Sequence, residues 1–567
     1  MDYQPIYNIA EICAAHNITD AVLSPGSRNA PLTYSFVRHQ QIKTYTITDE
    51  RSAAFIALGM SLRTGNPVAL VCTSGSAAYN YAPAVAEAYF QQIPLLIFTA
   101  DRPPEWIDQQ DGQTIRQAGI YGTHAKKSFQ CPVDLSNPDA TWHFERIINE
   151  AAILATDGTP GPVHINIPFR EPFYPKNKSI QIGKAPKIIH KFKSEKSITE
   201  RDWVSLVDEW RKHKKKLILG GQMLHSVAEL EIIGEFSATK HIPLVGDVIS
   251  NLHGLTNNIS LADSFISNQP NETKEKLRPD LLITFGKSII SKNLKLYLRK
   301  YQPKVHWHIQ EDGDVADTYQ SLTRIIPLRI TDLFKSIENI TAKGPTSYHD
   351  AWHSLQNKTT RFVHNLNGSL PFNEYSALHA IFDNLPITCD IHLANSMPVR
   401  WANMYGFDRT RQQVEVFCNR GTSGIDGATS TALGSALKTD RTTLLITGDM
   451  AFFYDRNGLW NKYIPDNLRI IVLNNHGGGI FDIIDGPSKH EEHQEYFLTK
   501  QPLSAKATAE EFGLKYYHCQ SVSGLSKGLD RFWVRDKHAK ILEIESDIAT
   551  NTKVYKKIKK EIKSLWN

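Results

Sequence analysis

Asp449 and Asn475 each follow an apolar run of strand length, Leu444-Leu445-Ile446-Thr447-Gly448 and Leu468-Arg469-Ile470-Ile471-Val472-Leu473-Asn474. Such runs read as buried strands, and in open α/β sheets a ligand sits just outside the carboxyl ends of the strands. The two side chains are therefore expected to face one crevice. A carboxylate, an amide oxygen and the carbonyls freed by the turn His476-Gly477-Gly478-Gly479 are hard oxygen donors, suited to Mg²⁺ held jointly with a diphosphate. On this stretch alone, two ordinary strands with polar ends remain the alternative. Glu50 is the next residue of interest. It follows the strand-like Thr44-Tyr45-Thr46-Ile47 and opens a segment whose Ala54, Phe55, Leu58 and Leu62 recur at helical spacing before Gly65. An acid in a helix's first turn suits the macrodipole; in a closed crevice the same carboxyl could exchange a proton with a bound heterocycle. Arg28 and Arg102 both follow strand ends in Pro-containing loops, where a planar fork can meet carboxylates.

These residues need a scaffold that gathers strand ends on one edge. Residues 21–23, 44–47, 68–72 and 95–98 are strand-like, and each leads into a polar loop, so Ser27, Arg28, Glu50, Ser76 and Arg102 fall on one edge of a parallel, doubly wound sheet. Residues 176–200, rich in Lys and Ser, read as a linker. A second unit follows with strands at 217–219, 243–245, 281–285 and 305–309; its Gly220-Gly221 lacks the fuller GxGxxG fingerprint and is read as structural. After a polar connection at 340–370 the last unit begins at Ile391-His392-Leu393. Ser396 reads locally as the N-cap of a helix that Pro398 helps open, with Arg400 one turn on along the same face. The expectation is an α/β protein of three doubly wound parallel-sheet domains, at 1–185, 200–340 and 365–555.

Composition excludes several classes. With 567 residues, 41% hydrophobic and 22% charged, the chain is neither disordered nor membrane-embedded in character. No apolar run reaches transmembrane length and the N-terminus lacks signal-peptide features, so a cytoplasmic location is expected. Six cysteines without a CxxC pair argue for core thiols rather than disulfides or zinc. A net charge of +5 requires no polyanionic partner but is compatible with small acidic substrates. The basic run Arg211-Lys212-His213-Lys214-Lys215-Lys216 reads as a solvated helix end, not a nucleic-acid site.

The pairing of Gly448-Asp449 with Asn474-Asn475 resembles the metal-diphosphate motif of thiamine-diphosphate enzymes, with Met450 where that motif usually has Gly. The stretches Ser24-Pro25-Gly26-Ser27-Arg28-Asn29-Ala30-Pro31-Leu32, Asp49-Glu50-Arg51-Ser52-Ala53, Thr99-Ala100-Asp101-Arg102-Pro103-Pro104-Glu105 and Asn419-Arg420-Gly421-Thr422-Ser423-Gly424-Ile425-Asp426-Gly427 narrow the resemblance. They are similar to 2-succinyl-5-enolpyruvyl-6-hydroxy-3-cyclohexene-1-carboxylate synthases of menaquinone biosynthesis, across essentially the whole chain.

That resemblance implies a thiamine-diphosphate-dependent transferase, a carboligase that decarboxylates 2-oxoglutarate and adds the resulting carbanion to isochorismate in a 1,4-addition. It implies Glu50 as the catalytic acid-base. Asp449, Asn475 and Gly477 become the ligands of Mg²⁺ or Mn²⁺. Pro25, Ser76, Arg420, Gly424, Ile425 and Gly448 join them around the cofactor, with Ile425 supporting its bent form. Ser27, Arg28, Arg102, Gln113, Lys292, Ser396, Arg400 and Arg420 become substrate-binding residues, with Arg28 and Arg102 matched to isochorismate recognition and Ser396 and Arg400 holding the 2-oxo acid's carboxylate. Ile480 and Phe481 form an apolar wall. Asn293 stands where the family usually has Arg, which puts one charge contact in doubt. The cofactor is implied to lie across a subunit interface, making a homodimer the minimum unit and leaving a tetramer open, with no nucleic acid and no membrane insertion. Another thiamine-dependent carboligase acting on 2-oxo acids, or a silent binding protein on the same fold, remains the alternative.

Overall fold

The apolar runs of the first segment become β1 (Asp20–Leu23), β2 (Lys43–Thr46), β3 (Val68–Cys72) and β4 (Leu95–Asp101), completed by β5 (Ser128–Gln130) and β6 (Val163–Pro168). They pair entirely in parallel in the order β2-β1-β3-β4-β6-β5. This computed structural model describes residues 4–171, 173–174, 185–366, 370–484 and 486–566. Within them two further six-stranded parallel sheets follow. The second contains β7 (Lys216–Gly220), β8 (Leu244–Gly246), β9 (Asn258–Ile259), β10 (Leu281–Phe285), β11 (Val305–Ile309) and β12 (Arg324–Ile326), in the order β12-β11-β10-β7-β8-β9. The third contains β13 (Cys389–Leu393), β14 (Val414–Phe417), β15 (Thr442–Gly448), β16 (Leu468–Asn474), β17 (Lys515–Cys519) and β18 (Lys540–Glu545), in the order β14-β13-β15-β16-β18-β17. Interior strands such as β3, β4, β10 and β16 are buried along their whole length, as parallel sheets covered by helices on both faces require. The three doubly wound sheets read from the sequence are those observed. The strands not foreseen are β5, β6, β9, β12, β14, β17 and β18; β9 has two residues, β17 and β18 carry Lys, His and Glu, and in the buried β6 His164 and Asn166 interrupt the apolar run.

Two other readings need amending. Residues 340–370 are not mainly a connection but hold the helix Thr346–Leu366, whose Tyr348, Trp352, Leu355, Thr359 and Val363 are buried at helical spacing. Intervening His, Asp and Lys residues hid that stripe. Of the linker, residues 185–199 carry neither helix nor strand, and 175–184 lie outside the described residues. Arg211 and Lys212 do close the helix Glu200–Lys212, but Lys216 starts β7, buried over the Trp210 ring at 4.7 Å. Gly221 is structural, since a Cβ there would stand 1.9 Å from the Lys287 carbonyl oxygen. All six cysteines are buried and unpaired. Among the described residues no helix is long and apolar enough to cross a membrane.

The first and third sheets share one hydrophobic core, in which Phe55, Leu58 and Leu62 meet Leu433, Leu445 and Phe452. At its centre the helix Glu50–Thr64 crosses the helix Ala428–Ala436. Small residues permit the approach: a Cβ on Gly59 would lie 2.0 Å from the Thr431 carbonyl oxygen.

Candidate functional site

β15 and β16 are neighbours, so their carboxyl ends deliver Asp449 and Asn475 to one place. Asp449 opens a short helix and is buried, accepting from Gln501 Nε2 at 2.7 Å. Burial pushes its carboxyl up to about 6, offset in part by donation from Gln501 and from the Met450 and Gly477 backbone amides. The Gly477 contact ties Asp449 to the turn after β16. Asn475 donates its Nδ2 to Glu374 Oε1 at 2.6 Å, while its Oδ1 is buried with no hydrogen-bond partner. Glu374 is itself buried, and desolvation pushes it up to about 7 against hydrogen bonds from Trp401 and Asn475.

This arrangement fits a cation bound with a diphosphate. The orphaned Asn475 oxygen and the buried Asp449 carboxylate are acceptors awaiting a positive partner. Gly448 has open space before it, since a Cβ there would meet nothing within 4 Å. At Gly477 a Cβ would stand 2.6 Å from the Leu498 carbonyl oxygen, so the turn must pass with bare backbone. Among the described residues no group of three or more His, Cys, Asp or Glu could hold a metal, so a cation here would need amide, backbone and ligand oxygens beside the Asp449 carboxylate.

The loop after β14 forms an adjoining wall. Asn395 organises it, donating from Nδ2 to the Asn419 and Gly424 carbonyls at 2.7 Å each and accepting from Arg420 Nη1 at 2.9 Å. Ile425, at 42% exposure, protrudes from this loop. Ser396 stands at the N-cap position of the helix Met397–Tyr405, as its local context suggests, but without a side-chain cap. Its φ of 73° is strained for a residue with a Cβ. Arg400 does lie one turn on, donating Nη1 to the Ser396 carbonyl at 2.5 Å. Desolvation, and then the neighbouring Arg420, push Arg400 below the usual guanidinium range. Lys295, which sequence reading missed, is lowered by the same two causes. These cations crowd together, a field suited to an anionic ligand. Lys292 is exposed at the start of the helix Lys292–Lys300, and Asn293 turns instead to Asp263, its backbone amide reaching Oδ1 at 2.8 Å and its Nδ2 the carbonyl at 2.9 Å.

The first sheet carries the remaining residues. Arg28 is buried, donating Nη1 to the Phe169 carbonyl at 2.8 Å and lying 4.7 Å from the Phe173 ring centroid; burial and then Arg102 lower its pKa. Arg102 pairs with Asp111 at 2.9 Å and donates Nη2 to the Gly112 carbonyl at 2.8 Å. Pro25 and Ser27 are exposed on the loop after β1, Ser76 is exposed at the start of the helix Ser76–Asn80, and Gln113 packs against the preceding Gly75. Ile480 and Phe481 open the helix Ile480–Ile483 after the glycine turn, half-buried, with Phe481 against Phe497.

Glu50 begins its helix behind the N-cap Asp49, whose side chain accepts from Ser52. Its carboxylate is reached by Asn80 Nδ2 at 3.4 Å and is part-exposed, not enclosed. Asp49 and Arg51 bond to Asn457 and to the Tyr454 carbonyl, yet among the described residues Glu50 and Asp449 share no side-chain hydrogen-bond partner.

Residues 8–120 match the family described as thiamine pyrophosphate enzyme, N-terminal TPP binding domain, and residues 181–392 that described as middle domain of thiamine pyrophosphate. The chain is similar to proteins named 2-succinyl-5-enolpyruvyl-6-hydroxy-3-cyclohexene-1-carboxylate synthase. That of Cytophaga hutchinsonii is 46% identical over 99% of this chain and 100% of its own length. Those of Flavobacterium psychrophilum and Bacteroides thetaiotaomicron are 38% and 36% identical, over 96% and 94% of this chain and 96% and 93% of their own lengths.

Proposed function

Since the chain belongs to the 2-succinyl-5-enolpyruvyl-6-hydroxy-3-cyclohexene-1-carboxylate synthase family, we propose that the strand-end residues described above are the working parts of its established reaction. The chain is a thiamine-diphosphate-dependent transferase of menaquinone biosynthesis, joining decarboxylated 2-oxoglutarate to isochorismate. When bound, thiamine diphosphate supplies the electron sink for decarboxylation and for the carbon–carbon bond formation that follows.

Asp449, Asn475 and Gly477 hold Mg²⁺ or Mn²⁺ against the diphosphate, and the observation that carries this reading is the buried, unpartnered Asn475 Oδ1 beside the buried Asp449. Gly448 leaves room for the phosphates, and Arg420, Gly424 and Ile425 line the cofactor's path with Pro25 and Ser76. Glu50 exchanges a proton with a ring nitrogen of the aminopyrimidine. Ser396 and Arg400, with Arg420, receive the carboxylates of 2-oxoglutarate. Arg28, Arg102, Ser27 and Gln113 receive isochorismate, with Lys292 at the margin. Ile480 and Phe481 keep water from the reacting carbon.

The part-exposed Glu50 and the protruding Ile425 support completion of the site by a second copy. In a symmetric dimer, Glu50 of one copy then serves the diphosphate site of the other. Isochorismate consumption should require both 2-oxoglutarate and thiamine diphosphate, with the product identified by mass. Consumption without any 2-oxo acid would contradict a carboligase reaction, and turnover of pyruvate in place of 2-oxoglutarate would favour a different carboligase.

A further inference from the structure

Asn475 can serve a cation only if its amide presents oxygen rather than nitrogen. Nothing in the turn 475–479 dictates this, because an amide can rotate to offer either end. The constraint comes from 101 residues away in sequence. Glu374 Oε1 lies 2.6 Å from the Asn475 nitrogen, and with Trp401 donating to Oε2 the ionised Glu374 carboxylate accepts at both oxygens, so Nδ2 faces Glu374 and Oδ1 faces away. That oxygen is then buried without a partner.

Glu374 is in turn fixed from three sides. Trp401 Nε1 donates to its Oε2 at 2.7 Å, the Glu374 backbone amide donates to Asn551 Oδ1 at 3.0 Å, and its helix Glu374–Asp383 starts in a capping box between Asn373 and Ser376. The side chain is held at both carboxylate oxygens and is 2% exposed.

From this geometry we infer that Glu374 is a positioning residue for the cation: it locks the Asn475 amide with its oxygen toward the metal-diphosphate site. The inference rests on the reading of Asp449, Asn475 and Gly477 as cation ligands. Partners of this kind, one step behind a ligand, typically change metal affinity about 10- to 100-fold when removed.

The test is Mg²⁺-dependent binding of thiamine diphosphate to metal-free apoprotein, followed by tryptophan fluorescence, with circular dichroism to verify folding. Glu374→Gln should weaken binding about 10- to 100-fold, since an amide at 374 can donate to Asn475 Oδ1 and turn that oxygen inward. Asn475→Asp should also weaken it, by setting two carboxylates in contact. The double variant should bind more tightly than Asn475→Asp alone, because the amide at 374 then donates to one carboxylate oxygen and leaves the other for the cation. A folded Glu374→Gln with the parent's affinity overturns the inference. So does a double variant no tighter than Asn475→Asp, the comparison that decides if Glu374→Gln does not fold. Asp449→Ala is the reference: if it too binds as the parent does, the cation site itself is misassigned; if it fails while Glu374→Gln binds normally, only the role of Glu374 is wrong.

Discussion

Gly434 lies so close to Ile56 that a Cβ added to it would stand 2.0 Å from the Ile56 carbonyl oxygen. The contact reciprocates that of Gly59 with Thr431, so the helices leading from Glu50 and from the cofactor loop cross backbone to backbone. Gly434→Ala should force them apart and lower stability by about 1–3 kcal/mol, the usual cost of overpacking. An unchanged urea midpoint would show that the crossing adapts freely.

The parts of the site legible in the sequence were those whose signal is local. Asp449, Asn475 and the Arg420–Gly427 segment announce themselves through a strand end joined to a polar or glycine-rich loop. Glu374 and Gln501 do not, because what makes them matter is a partner 101 and 52 residues distant. Ser396 stands at the N-cap position its local context of Ser before Met-Pro suggests, without the side-chain cap that position usually brings. The backbone there takes a φ of 73° and leaves the hydroxyl uncommitted to the helix. The three sheets were legible because interior parallel strands are continuous apolar runs. Strands that are short or interrupted by polar residues were not, among them β9, β17 and the interior β6 and β18.

Glu50→Gln should leave the fold intact and slow exchange of the thiazolium C2 proton into deuterated water by about 10²- to 10⁴-fold, the typical contribution of a positioned acid-base group. Proton NMR of the bound cofactor reads this directly. An exchange rate equal to the parent's removes Glu50 from the role.

Asp449→Ala should abolish Mg²⁺-dependent cofactor binding, since the cation loses the single carboxylate among its proposed ligands. Asn475→Ala should be milder, as a neutral ligand leaves. Cofactor titrations with and without the metal compare them, and equal affinities for Asp449→Ala and the parent would contradict the ligand assignment.

Arg400 and Arg102 should divide between the two substrates. Arg400 bonds to the Ser396 carbonyl and crowds Arg420, whereas Arg102 is held by Asp111 beside Arg28. Removing Arg400 should raise KM for 2-oxoglutarate, and removing Arg102 that for isochorismate. A charge-assisted hydrogen bond of roughly 1.5–3 kcal/mol corresponds to about 10- to 150-fold. Decarboxylation measured without isochorismate isolates the first half-reaction. If Arg102→Ala slows it as much as Arg400→Ala does, the division is wrong.

The central claim is that Glu50 of one copy works with Asp449, Asn475 and Gly477 of another on 2-oxoglutarate and isochorismate. Its most direct test is to mix the inactive Glu50→Gln and Asp449→Ala proteins, let the subunits exchange, and measure product by mass. Half of randomly re-paired dimers are mixed, and each has one intact site of its two, so about a quarter of the parent's activity should return. If each site were built from a single chain, mixed dimers would contain no intact site. No recovery of product, in a mixture shown to exchange subunits, would contradict the account.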